Sequence, residues 1–565
     1  MGTLPFTSVA NAVERWDKEA DVVVVGSGAA GLVAAVSAVY AGASVIIVEK
    51  APVVGGTTAK SDGGYWIPNN RDMRAAGLVD NRIDAITFMA RCARPQLFNP
   101  TDALLGLPER EYRLLETYYD NASKTVEFLE EISALKSFQA YPWPDYVEIP
   151  ENKSPKGRAF TPRKPDGSYG RGVEIVRQLK AWLDDKKVPV LLRHRAKEVV
   201  RNERGEVVGL LATTKDGRTI SLRAKKGVIF GSGGFGQNPE MMLNYQPLPI
   251  YGGLAVPGAE GDFVRIGQSV GAKLGNMANS WHMQILLEPA LEVRSMPIGI
   301  VQPPGDSMIL VNKYGERVVG EKRNYHDRTQ AHFAWDALRS EYPNQLMFMV
   351  YDRRTAELFA GSYPLPAAGT AASYVISAAS LAELEQAIQA RLKKLSPRLG
   401  NIRLSDNFAK NLAATVTNFN RYAANGVDEQ FQRGSKAYDI EWDAIYTSHP
   451  RPDTGWKMGE APNPTMHPFQ SDGPYYAIIV GATCLDTNGG PVINSSAQVL
   501  DADEKPISGL YGAGNCIASP AAQGYWGGGA TIGPAMIYGF LAGSHAARSA
   551  VKQASSSVKA GGKQA

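Results

Sequence analysis

One stretch limits the folding options of this chain more than any other: residues 21–50, DVVVVGSGAAGLVAAVSAVYAGASVIIVEK. Val22 to Val25 form a β-branched run with no polar face, as a parallel strand covered on both sides requires. GSGAAG follows and sets Gly26, Gly28 and Gly31 in a G-x-G-x-x-G spacing. Leu32 to Tyr40 continue as a small-residue helix, and SVIIVEK reads as a second buried strand ending on Glu49. Each part has a task. Gly26 allows a tight turn, Gly28 admits a pyrophosphate, and Gly31 lets the helix pack closely on the sheet. The helix N-terminus offers N–H groups and a positive dipole end. Glu49 stands where a carboxylate accepts hydrogen bonds from ribose hydroxyls. The spacing alone would be a weak sign. Strand, glycines, helix, strand and acid in order predict an α/β dinucleotide-binding fold.

The residues beyond Glu49 choose between dinucleotides. KAPVVGGTTAKSDGG places Gly55, Gly56, Thr57 and Thr58 in a second loop of small and hydroxyl side chains past the strand end. Nothing in NAD binding requires such a loop, whereas in a large flavoprotein it runs along the pyrophosphate toward the flavin; the expected cofactor is FAD. Residues 191–236 then read as a meander with turns at ERGE and KDGR, ending in GVIFGSGGF. Much later PISGLYGAGN gives another strand and turn, with Gly514 and Asn515 at its end.

Composition removes other classes. The 565 residues, 44% hydrophobic and 21% charged, are ordinary for a globular chain of two or more domains. A net charge of +4, with no basic run interleaved with aromatics, gives no case for nucleic acid. Cys92, Cys484 and Cys516 are scattered with no CxxC pair, which fits a reducing compartment and argues against disulfides or a metal site. No secretory signal is read at the N-terminus. No run of about 18 apolar residues suggests a membrane span. The expected location is cytoplasmic, with peripheral membrane association compatible. The polar tail from about residue 552 is expected to be disordered.

GYWGGGATIGPAMIYGF, residues 524–540, spends three glycines before an apolar helix-like run. With the fingerprint, the GGTT loop, GVIFGSGGF and GLYGAGN, it resembles the fumarate reductase and succinate dehydrogenase flavoprotein superfamily, and within it the 3-ketosteroid Δ1-dehydrogenases. The resemblance covers roughly residues 20–548. It implies an α/β fold: a Rossmann-like FAD-binding domain, residues 1–285 and 488–565, interrupted by an α+β substrate (capping) domain, 286–487. It adds Ala30, Lys50, Val199, Gly233, Thr531 and Ile532 to the FAD-binding candidates, and brings Asn488, Gly489 and Gly490 close to the flavin.

The same resemblance implies the catalytic set. LLETYYDNAS puts Tyr118 in the place of an active-site tyrosine, with Tyr119 one residue away. YGERVVGEKRNYHDRT is similar to a segment in which Glu321 and Tyr325 match a glutamate and a tyrosine, while Gly320 and Asn324 replace an asparagine and a proline. Tyr525 and Gly529 fall on the carbonyl-binding pair, and Trp526 replaces a proline at the expected pocket mouth. The implied reaction abstracts the C2 proton of a 3-ketosteroid through Tyr325, with Tyr118 as its relay. The C3 ketone is held by the Tyr525 hydroxyl and the Gly529 amide, and the C1 hydride passes to flavin N5. Gly529 is expected to be glycine because a side chain would block the ring. Related readings are a Δ4-(5α)-dehydrogenase or enone reductase, a fumarate- or urocanate-type reductase, and a flavin-binding protein without turnover. Of His282, His326, His332, His449 and His467, only His326 adjoins a candidate.

Overall fold

The computed structural model describes residues 15–139, 144–297, 301–446 and 461–554. His449 and the end of the tail lie outside them. Four buried valines bring strand Lys18–Val25 to the middle of an eight-stranded sheet. It pairs in parallel with Val45–Glu49 on one side and Thr219–Phe230 on the other. Val190–Leu192 and Pro506–Gly512 extend the parallel order outward. The expected meander is present as antiparallel Arg195–Arg201, Val207–Thr213 and Thr219–Phe230. Helix Ala29–Tyr40 is apolar nearly all round because it is covered on several sides. It packs on the C-terminal helix Ile532–Arg548, where side chains on Gly539 and Gly543 would collide with the carbonyls of Ala30 and Ala34.

A second, antiparallel sheet is built from Ser280–Leu286, Met308–Val311, Leu346–Asp352, Val375–Ala378 and Tyr475–Thr487. Helices Leu381–Leu399 and Phe408–Asn425 lay Leu384, Ile388, Leu412 and Phe419 into a core shared with Phe348, Val350 and Ile479. The Ser380 hydroxyl caps the first of them by accepting from the Glu383 amide at 3.2 Å. Strand Tyr475–Thr487 carries its last residues to the edge of the large sheet, where Thr487 Oγ1 accepts from the Phe235 amide at 2.8 Å. A small sheet of Tyr65–Trp66, Ala159–Pro162 and Ser137–Phe138 adjoins the long helix Glu109–Glu131. Among the described residues, no helix is long and apolar enough to cross a membrane.

Candidate active site

A cavity of about 1310 Å³ runs from the fingerprint turn to a box of aromatic side chains, so the loops of the large sheet and the second sheet share one space. At the first end, Gly26 has φ +100°, and a side chain there would fall on the carbonyl of Gly231. Ser27 ties the turn to Glu49: its hydroxyl donates to Glu49 Oε2 at 2.7 Å and its amide does so at 3.1 Å. The Gly55 amide donates to Ser27 Oγ at 2.9 Å, and the Ala29 amide to Thr58 Oγ1 at 3.0 Å. The two small-residue loops are thus clasped together at a helix N-terminus. Gly26, Gly28, Ala30, Glu49, Lys50, Gly56, Thr57, Thr58, Gly233, Gly514, Asn515, Thr531 and Ile532 all line the cavity. Gly31 does not; its missing side chain lets the helix meet the Gly26 carbonyl.

The large sheet's loops fit a dinucleotide. A Cβ on Gly56 would stand in open space, and one on Gly233 would meet only Asp486 Oδ2 at 3.8 Å, so both glycines leave an unfilled cradle. Asp486 is a wall residue that the sequence reading missed. It accepts from the Asn515 side chain at 3.0 Å and from the Gly234 amide at 2.9 Å. Burial raises its pKa despite those bonds. The acid at the end of an otherwise apolar strand was the signal. Two expectations need correction. Val199 sits in the sheet core and does not line the cavity. Asn488, Gly489 and Gly490 also lie off the wall: the Asn488 side chain donates to the Ala522 carbonyl at 2.7 Å, and the glycines pack on residues 276–277 and 516–517. Lys50 lines the cavity, with its ammonium held by Asp262 at 2.7 Å and Glu260 at 3.3 Å.

At the other end three phenols converge. Tyr325 donates to the Tyr525 hydroxyl at 2.9 Å, and the Tyr146 and Tyr325 hydroxyls lie 3.1 Å apart. Tyr146–Tyr325 and Tyr146–Tyr525 pack edge to face, with centroids 5.3 and 5.1 Å apart. Each such pair contributes about 0.5–1.5 kcal/mol beyond area burial and fixes where its hydroxyl points. Tyr325 opens the short helix Tyr325–Gln330. Asn324 caps it, accepting from the Asp327 amide at 2.9 Å and donating to the Tyr146 carbonyl at 3.0 Å. The asparagine that replaces a proline therefore straps two of the tyrosines together. Trp281 and Trp442 complete the box, and the Trp442 indole donates to the Pro144 carbonyl at 3.1 Å. Burial pushes the Tyr525 hydroxyl up to about 12, with the Tyr325 hydrogen bond opposing it, so Tyr525 keeps its proton at neutral pH.

The structure corrects the role of Tyr118. It is fully buried, donates to the Trp66 carbonyl, and packs on Trp66 and Trp526 instead of reaching Tyr325. Tyr146, in WPDYVEI, occupies the position expected of it; the density of aromatic residues in that segment was the available signal. Trp526 is likewise buried away from the cavity and does not shape its mouth. Gly529 lines the cavity with φ +85°, but its Cβ would strike Gly64 and Tyr65, so close backbone packing is what demands glycine there. Gly528 is the open one: its Cβ would lie 3.6 Å from Ala159, 3.7 Å from Tyr146 Oη and 3.8 Å from Trp442.

His326, the histidine beside Tyr325, is held in place on both sides of its ring. His326 Nδ1 accepts from the His282 amide at 3.1 Å, which leaves Nε2–H to donate to the Gln523 carbonyl at 3.0 Å. Both ring nitrogens are engaged, and burial lowers its pKa. Burial works to raise the Glu321 carboxyl, but Arg317 at 2.8 Å and Arg433 at 3.3 Å outweigh it and hold it below the ordinary range. Glu321 braces the second sheet through Leu310 and is not on the cavity wall.

The family described as FAD binding domain matches residues 21–532. The chain belongs to that family. It is an FAD-dependent oxidoreductase. It is 29% identical to the 4-oxocyclohexanecarboxylate 2-dehydrogenase of Sinomonas cyclohexanicum, over 93% of this chain and 92% of the relative. It is 28% identical to the 3-oxosteroid 1-dehydrogenase of Mycolicibacterium smegmatis, over 93% and 96%. The flavoprotein fold is similar to that of the 3-ketosteroid delta1-dehydrogenase of Sterolibacterium denitrificans in complex with 1,4-androstadiene-3,17-dione. That match has a TM-score of 0.77 at 25% identity and covers 94% of this chain and 99% of the other.

Proposed function

We propose that this oxidoreductase removes two hydrogens from adjacent ring carbons next to a cyclic ketone, as a 3-ketosteroid Δ1-dehydrogenase introducing the C1–C2 double bond. The observation that carries the reading is the cluster of the Tyr146, Tyr325 and Tyr525 hydroxyls within the cavity that also contains the FAD loops. A proton beside a carbonyl is not acidic until the carbonyl is polarised. Tyr525, protonated and in the aromatic box, donates to the ketone oxygen, with the Gly529 amide on the cavity wall as the second donor. Such fixed donors stabilise the developing enolate where water is excluded.

Tyr325 is the base. A free phenol has a pKa of about 10, so its anion needs support. The Tyr146 hydroxyl at 3.1 Å supplies a donor to it while Tyr525 serves the ketone. Bound FAD supplies the hydride acceptor. The turn at Gly26–Ala30, Glu49, Thr57, Thr58, Gly233 and Asn515 would hold that cofactor, and the aromatic box presses a flat ring system into place. The Sinomonas relative supports a second reading with the same chemistry, in which the ring is a single oxocyclohexane.

Anaerobic mixing of the holoenzyme with 4-androstene-3,17-dione and with 4-oxocyclohexanecarboxylate tests both readings. Bleaching of the flavin, with a product two hydrogens lighter and unsaturated beside the ketone, is expected with at least one. Unchanged visible absorbance with both would overturn the proposal.

A further inference from the structure

We infer that Lys60 receives an anionic group of the substrate, so that the preferred ketone carries a carboxylate elsewhere on its skeleton. The inference rests on the reading above and deepens it by naming the substrate class. Four lysines line the cavity; Lys197 and Lys215 are exposed, and the two half-buried ones, Lys50 and Lys60, differ in one respect. Lys50 is neutralised by Asp262 and Glu260. Lys60 donates to the Leu254 carbonyl at 2.7 Å and to Ser295 Oγ at 3.3 Å, and no carboxylate among the described residues forms an ion pair with it. Ser295 is itself fixed, its hydroxyl donating to the Ala255 carbonyl at 2.7 Å.

An ammonium has three donors, and these two neutral acceptors leave one for a ligand. Burial alone lowers the Lys60 pKa; no nearby acid opposes it. A half-desolvated cation without a counter-charge is unfavourable until an anion completes it. Leu254 beside it and Pro297 elsewhere in the lining are apolar wall residues, so the anion would arrive on a largely hydrocarbon body. An acidic side chain on a steroid and the carboxylate of a monocyclic oxo acid offer the same chemistry. A phosphate of FAD offers an anion too, and the experiment separates it.

The holoenzyme and its Lys60→Gln and Lys60→Arg variants are assayed with 4-oxocyclohexanecarboxylate, a 3-ketosteroid bearing a side-chain carboxylate, and the methyl ester of each. In Lys60→Gln, kcat/KM for the better acid is expected to fall about 10- to 100-fold through KM, as for loss of a charged hydrogen bond. The esters stay unchanged, and Lys60→Arg keeps the preference for acid. Whichever acid responds identifies the skeleton. Equal losses for acid and ester overturn the inference, as does loss of FAD absorbance in Lys60→Gln, which would assign the lysine to the cofactor. If no ketone is oxidised, the dehydrogenase reading fails separately, and titration of the flavin spectrum with cyclohexanecarboxylate decides: a perturbation abolished in Lys60→Gln upholds the anion site, and none in the parent protein overturns it.

Discussion

The two ends of the cavity are built on opposite plans. At the dinucleotide end the backbone makes the site: glycines, a helix N-terminus and two hydroxyls, all within about forty residues of sequence. At the aromatic end side chains make it, and Tyr146, Tyr325 and Tyr525 come together from segments about two hundred residues apart. A backbone site tolerates no added atom at its turn but little depends on any one hydroxyl. A side-chain site tolerates small changes of shape, yet its rate depends on single atoms.

The largest effect follows from that contrast and compares two glycines. In Gly26→Ala the new methyl overlaps the Gly231 carbonyl on a backbone at φ +100°, which L-residues avoid. Loss of bound FAD is expected, with a markedly lower melting temperature. In Gly528→Ala the methyl meets its neighbours at ordinary contact distance, so fold and FAD persist while KM rises for the bulkier ketone. Visible absorbance, thermal melts and KM read both. Equal FAD retention in the two variants would break the contrast.

Next come the hydroxyls. Tyr325→Phe is expected to keep yellow enzyme and lose about 10²–10⁴-fold in kcat, the usual worth of a positioned base. Tyr146→Phe should lose less, chiefly by raising the pH at which kcat reaches its plateau. Tyr118→Phe leaves the Trp66 carbonyl without its donor and costs about 1–3 kcal/mol in stability, with kcat retained. Urea melts beside kcat–pH profiles distinguish the roles. A kcat loss in Tyr118→Phe as large as in Tyr146→Phe would return the relay to position 118.

The same contrast explains what could be read in advance. The fingerprint is local, so strand, turn, helix and Glu49 were legible from residues 21–50, and the meander from its turns. The tyrosines at 325 and 525 were reachable only through resemblance. Tyr118 was misplaced because a helix with several buried aromatics does not state which face meets a cavity. Tyr146 sits in a loop with no periodicity, and its partner lies 179 positions away. The purpose of Gly529 was misread for a related reason: sequence shows that a side chain is missing, and only the direction of the missing Cβ shows whether substrate or backbone needs the room.

The last comparison is titration at the aromatic end. His282 and His332 are buried and held at about 3 and about 4, and His326, ring to ring with His282, is lowered as well. Each folded pKa lies below the unfolded value of about 6.5. Their stabilisation is therefore complete above that pH and falls as the pH drops toward the folded values, by about 1.4 kcal/mol per pH unit for each histidine kept neutral. Asp439 has the opposite sign. Burial raises it to about 6, so the folded state binds its proton first and stability recovers slightly between about pH 6 and 4, offsetting part of the loss. Because His326 packs against the ring of Tyr525 at 5.8 Å, acid should loosen the tyrosine box before the glycine loops. Between pH 7 and 5, turnover is expected to decay at a pH where FAD is still bound, and urea midpoints to fall with a slope reduced by about one proton in His332→Gln. Simultaneous loss of FAD and turnover would mean that the two ends of the cavity open as one unit.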